Sequence, residues 1–110
     1  MSVALRITER DWQTRVIDAA KLFGWRYAHF RSARTAKGWK TAMEGDKGFP
    51  DLVLVKPPRV IFVELKSDQG KLSIEQFNWM TALEAGNVEA YVWRPENWQE
   101  AYLTLAKERR

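Results

Sequence analysis

The first apolar pattern in the chain is helical. Trp12, Val16, Ala19, Ala20 and Phe23 recur at three- and four-residue spacing and make one face of a helix expected over 8–23. Thr8 stands where an N-cap belongs, with Asp11 three positions on, and Gly24 stands where a C-terminal cap falls. The pattern then changes. Trp25 to Phe30 reads as a strand with aromatic content. Residues 31–49 lack periodicity and hold Gly38, Gly45 and Gly48, which predicts a long basic loop, and long loops in compact domains are often functional. Two apolar runs follow, predicting strands over 51–56 and 59–66. Pro57-Pro58 joins them as a hairpin, since neither proline can donate to a ladder. Ser73 and Gln76 have the spacing of a capping box for a helix over 74–85. Ile74, Phe77, Met80 and Leu83 are spaced to bury one face of it, and Gly86 closes it. Val88 to Trp93 is a fourth strand. Pro95 can start a last helix with Trp98, Ala101, Tyr102 and Leu105 on its apolar side.

The order α-β-β-β-α-β-α predicts an α/β fold, a mixed central sheet flanked by helices. The third strand, second helix and fourth strand should form a right-handed crossover with parallel strands. A length of 110 residues suits one domain spanning 1–110, and there is no internal repeat or low-complexity tract.

The strand over 59–66 carries an anomaly. Val60-Ile61-Phe62-Val63 shows no polar alternation, yet the strand ends in Glu64-Leu65-Lys66. Glu64 and Lys66 are two apart and so share a face. A buried strand rarely carries charge unless the charge is paired or holds a metal. Asp51 begins the neighbouring run, so the hairpin would bring two carboxylates and a lysine together. Mg²⁺ takes oxygen ligands and is usually held by one or two carboxylates plus substrate phosphate. Such an ion acidifies bound water, and a lysine adds charge where negative charge develops. Nucleophilic systems built on serine–histidine or cysteine have little to draw on, because His29 is the single histidine and cysteine is absent.

Composition and charge sharpen this. The chain is 45% hydrophobic and 13% aromatic, enough for a packed core. It has no apolar run of transmembrane length and no signal-peptide core, so no membrane role is expected. Without cysteine there is no disulfide framework and no thiolate zinc site, and the expected setting is a reducing cytoplasm. Net charge is +4 and the pI is near 9.6. Arg26, Arg31, Arg34, Lys37, Lys40 and Lys47 share the segment 26–47 with only Glu44 and Asp46 as acids. Taken alone, such a cluster reads as a solvated loop; beside a metal site it reads as a phosphate-binding surface.

Asp51 preceded by Pro50, followed by Glu64-Leu65-Lys66, resembles the PD-(D/E)xK nuclease motif. Three blocks in order, 48–55, 63–67 and Gly70-Lys71-Leu72-Ser73-x-x-Gln76, resemble the VRR-NUC branch more closely, over roughly residues 8–98. The resemblance implies a restriction-endonuclease-like core and a Mg²⁺- or Mn²⁺-dependent nuclease. By it, Asp51 and Glu64 would bind metal with the backbone carbonyl of Leu65, and Lys66 would orient the attacking water or stabilise the phosphorane. Glu9 matches an N-terminal acidic position that holds metal directly or through water, and Gln76 would face the site. Arg31, Arg34, Lys37, Lys40 and Lys71 are the candidate DNA contacts. The loop 31–47 departs from the expected pattern in its extra lysines and its Glu44-Gly45-Asp46 stretch.

Plainer readings stand beside these. Asp51 could be a turn residue, and Glu64 with Lys66 a solvent-facing pair; the apolar run before them favours a site. Acids enrich in first helical turns for dipole reasons alone, which covers Glu9. Gln76 could serve only the capping box. His29 reads as a strand residue near the basic loop. Trp39 could stack on an unpaired base or pack back on the protein.

The expectation is therefore a small endonuclease that cuts structured DNA, such as a Holliday-type junction or flap, because no separate sequence-reading module is present. A four-way junction has two strands to cut, which favours a homodimer. Stand-alone domains of this size point to a phage or bacterial setting. The alternatives are a binding module of the same fold without catalysis, and a nuclease subunit that needs a helicase or another repair or replication partner.

Overall fold

The computed structural model describes residues 7–30, 33–35, 38–40 and 44–108, with 33–35 and 38–40 described by backbone alone. Helix α1 spans Glu9–Leu22 and strand β1 spans Arg26–His29. Two three-residue strands follow, β2 at Ala33–Thr35 and β3 at Gly38–Lys40. Strand β4 covers Leu52–Lys56 and β5 covers Arg59–Leu65. Helix α2 is Ile74–Ala85 and β6 is Glu89–Trp93. A single 3₁₀ turn at Pro95–Asn97 then leads into α3, Trp98–Ala106.

The expected element order is present. The main sheet is ordered β1-β4-β5-β6, with β1-β4-β5 antiparallel and β6 parallel to β5. One expectation is corrected: the segment 31–49 includes a short antiparallel pair, β2 with β3, where a loop was predicted. No apolar alternation marks these two strands, so period-based reading passes over them.

Local chemistry explains the helix ends. Thr8 Oγ1 accepts from the Asp11 backbone N–H at 3.0 Å. Ser73 and Gln76 form a complete capping box, each side chain accepting from the other's backbone N–H. Gly24 follows the Phe23 C-cap of α1 with φ +82°, a left-handed conformation that glycine adopts without a Cβ penalty.

Period-2 alternation sorts the sheet into two faces. Leu52, Leu54, Ile61, Val63 and Leu65 are fully buried and pack with Trp12, Val16 and Ala20 of α1 and Ala101 and Leu105 of α3. Two buried indoles are satisfied by backbone there: Trp12 Nε1 donates to the Trp93 carbonyl and Trp25 Nε1 to that of Leu105. Arg59, 5% exposed, binds both oxygens of Glu89 through its Nε and Nη2 at 2.9 and 2.7 Å and donates from Nη1 to the Thr104 and Lys107 carbonyls at the end of α3. That contact supplies the donors that the last carbonyls of a helix lack. The hydrogen bonds to Glu89 hold the Arg59 pKa above its ordinary value, and burial raises that of Tyr91, whose hydroxyl also donates to Glu89.

The opposite face presents Asp51, Val53, Phe62, Glu64 and Lys66, and α2 lies over it. Here a second expectation fails. Met80 of α2 is buried, but Ile74 is 66% and Phe77 54% exposed. Much of this sheet face is given to charged side chains, which leaves little apolar area for α2 to cover.

Candidate active site

The hairpin register puts the acids side by side. Leu52 pairs with Val63, so one step further along the antiparallel ladder Asp51 stands opposite Glu64. The pairing with β1 also continues past its last ladder position, because the Phe30 N–H donates to the Asp51 carbonyl at 2.8 Å. Asp51 is thereby held by both neighbouring strands. Its Oδ2 accepts from the Leu65 N–H at 3.2 Å, tying the first carboxylate to the peptide next to the second.

Glu64 is 2% exposed. Its Oε2 accepts from Gln76 Nε2 at 2.9 Å and lies 3.6 Å from the Lys66 ammonium. Its Oε1 is buried with no hydrogen-bond partner. Burial pushes the Glu64 pKa up to about 8, the nearby Asp51 charge adds to the rise, and Lys66 opposes it only in part. A carboxylate in that condition lacks positive charge. The donor set is hard oxygen, and an orphaned acceptor points into it. These residues fit a divalent cation that takes oxygen ligands.

A loop and a helix lock this geometry. Gly48 has φ +95°, and a Cβ there would come within 2.5–2.7 Å of the backbone of Glu75 and Gln76. Only a glycine allows the chain before Asp51 to touch the first turn of α2. Phe49 packs edge-to-face with Phe30, Phe62 and Trp79 at 5.6, 6.0 and 5.0 Å, joining the residue that follows β1 to β5 and α2. Trp79 Nε1 donates to the Asp46 carbonyl at 3.1 Å. On the other side, Arg94 donates to the Ser67 and Gly70 carbonyls and so fixes the turn that follows Lys66.

The structure thus gathers Asp51, Glu64, Leu65, Lys66 and Gln76 in one place. Glu9 is exposed on the first turn of α1, and among the described residues no three acidic or histidine side chains form a metal-holding group. Lys71 is exposed just beyond Gly70. Arg34 stands opposite Trp39 and Lys40 opposite Ala33 in the β2–β3 pair. Arg31 and Lys37 lie outside the described residues. The parts not singled out from sequence were the Gly48 contact, the Phe49 hub and the Arg94 clamp. Gly48 and Phe49 were visible only as neighbours of Pro50-Asp51, and Arg94 only as a cation after the last strand.

One face of a mixed four-stranded sheet thus carries two opposed carboxylates and a lysine, an arrangement in keeping with the nuclease-type domain that the family comparison indicates. The model of the VRR-NUC domain matches residues 10–96, and the chain belongs to that family. The PD-(D/E)xK placement is consistent with it. No curated protein matches the chain.

Proposed function

We propose that the protein is a metal-dependent endodeoxyribonuclease that hydrolyses phosphodiester bonds in branched DNA. The observation that carries the metal dependence is the buried, partnerless Glu64 Oε1 beside a second carboxylate, and the nuclease chemistry rests on the VRR-NUC match. Mg²⁺ or Mn²⁺ would be held by Asp51, Glu64 and the Leu65 carbonyl, with Glu9 reaching it through water. When bound, such an ion supplies acidified water and positive charge against the developing phosphorane.

The chain's own residues do the rest. Gln76 engages Glu64 Oε2 and leaves Oε1 free for the ion. The Leu65 N–H orients Asp51 in the same way. Lys66, half-buried against Glu64, presents its ammonium where it can orient the attacking water or meet a non-bridging phosphate oxygen. Lys71 and the cations of the 31–40 segment, Arg31, Arg34, Lys37 and Lys40, would track the backbone of the DNA. A junction with two strands to cut calls for two copies of the chain.

The test is cleavage of labelled four-way junction, flap, single-stranded and linear duplex DNA with Mg²⁺, Mn²⁺ or EDTA, beside Lys66→Ala. Metal-dependent cutting of the branched substrates, lost in the variant, supports the reading. Inactivity on all four, relieved by a helicase or other replication or repair partner, would replace it with a partner-dependent nuclease.

A further inference from the structure

Beside the carboxylate pair lies a second feature that the cleavage chemistry does not use. Between the 46–48 loop and the outer side of α2 is a hollow of about 600 Å³, lined by Asp46, Lys47, Glu75, Asn78, Trp79 and Ala82. Its size is in the range of small-molecule sites, ~300–1,000 Å³. Its walls are held in place. Gly48 abuts the backbone of Glu75 and Gln76, Trp79 is bonded to Asp46, and Phe49 packs against the Trp79 ring. Gln76 in turn holds Glu64, so the hollow stands in fixed relation to the candidate cleavage site.

The lining selects the occupant. An indole held on two sides offers a stacking surface for a flat ring. Asp46 and Glu75 are exposed carboxylates, which repel phosphate and accept from N–H donors. Asn78 adds an amide able to donate and accept, and Lys47 supplies one cation on the wall. A ring with a donor edge, attached to a single phosphate, matches this set. Guanine presents two adjacent donors that a carboxylate can accept together, whereas thymine presents one. We propose that the hollow is a subsite for one unpaired nucleobase with an amino-bearing edge, guanine above all, with Lys47 meeting its phosphate. The proposal deepens the nuclease reading, and rests on it for the subsite's place beside a scissile bond.

The experiment uses metal-free protein, so that no cleavage intervenes. A five-nucleotide DNA with one central guanine among thymines, and its all-thymine counterpart, are titrated while the indole N–H resonance of Trp79 is followed, assigned with Trp79→Phe. The guanine strand should shift that resonance and bind about tenfold more tightly, the order that one added hydrogen bond to a charged acceptor contributes. Asp46→Asn with Glu75→Gln, both at exposed positions, should keep the fold and erase the preference. Equal affinity for the two strands, or a Trp79 resonance unmoved at saturation, overturns the proposal. Cleavage with Trp79 unmoved would remove the subsite and leave the nuclease. Guanine-selective binding without cleavage of any DNA would do the reverse.

Discussion

Gln76 holds Glu64 with one end of its amide and caps its own helix with the other. Its Nε2 donates to Glu64 Oε2 at 2.9 Å, and its Oε1 accepts from the Ser73 N–H at 2.9 Å. One side chain therefore sets both the start of α2 and the orientation of the buried carboxylate. The two roles separate by mutation. Ser73→Ala removes only the cap and should cost about 1 kcal/mol of stability, with cleavage retained below the melting temperature. Gln76→Glu keeps a good capping-box residue but replaces the donor facing Glu64 with an acceptor. It should leave the helical circular dichroism intact and slow cleavage by more than about tenfold. Equal activity in the two variants would reduce Gln76 to a capping residue.

Gly48 gives a second prediction. Gly48→Ala meets both a left-handed φ and backbone atoms 2.5–2.7 Å from the new Cβ. The conformation alone costs roughly 1–2 kcal/mol, and the clash must move the loop or the helix. Gly45→Ala is the control: its φ is +115° but nothing lies within 4 Å of the added atom. Thermal melts should show the Gly48 variant clearly less stable than the Gly45 variant. Cleavage well below both melting temperatures should fall in the first alone.

The raised Glu64 pKa makes metal-free stability depend on pH. Folded Glu64 titrates near 8, against an ordinary value of 4.5. Between those limits the folded protein binds more protons than the unfolded chain, so stability is full below the window and falls as pH rises through it. The slope is at most ~1.4 kcal/mol per pH unit. Melting in EDTA from pH 5 to 8 should show this decline, and Glu64→Gln should flatten it. Adding Mg²⁺ at pH 8 should raise the melting temperature of the parent protein and leave the variant unmoved. A flat profile in the parent would mean that Glu64 is not a buried, uncompensated acid.

Arg59 is charged and buried, yet its contacts are structural. Arg59→Ala leaves Glu89 without its guanidinium partner and should cost about 3–5 kcal/mol. Arg59→Met with Glu89→Leu should recover much of that loss, because it removes both charges. Chemical denaturation of the two variants distinguishes the cases.

Much of this fold can be read from the chain because its local signals agree. The helix caps at Thr8 and Ser73, the Pro57-Pro58 hairpin and the parity of Glu64 and Lys66 all point to one topology, and the VRR-NUC match spans most of it. What escaped reading depends on packing between distant segments. The spacing of Ile74, Phe77, Met80 and Leu83 defines a helix face but not how much of it the sheet covers. The face beneath carries Asp51, Glu64 and Lys66, and only Met80 ends buried. The contact between Gly48 and α2 needs a backbone approach across some 27 residues of chain, which no local pattern encodes. Arg59 finds its carbonyl partners only where α3 folds back and presents its end, a contact across 45 and 48 residues that no local pattern marks.

On the function proposed above, Asp51 and Glu64 hold the ion that makes DNA hydrolysis possible. The decisive measurement is single-turnover cleavage of a labelled four-way junction in Mg²⁺ by the parent protein and by Glu64→Gln. The parent should cut, and the variant should lose about a thousandfold in rate, ~4 kcal/mol of barrier, with junction affinity changed only a few-fold. Equal rates in the two proteins, or binding without cutting by the parent, would rule out that role for the two carboxylates.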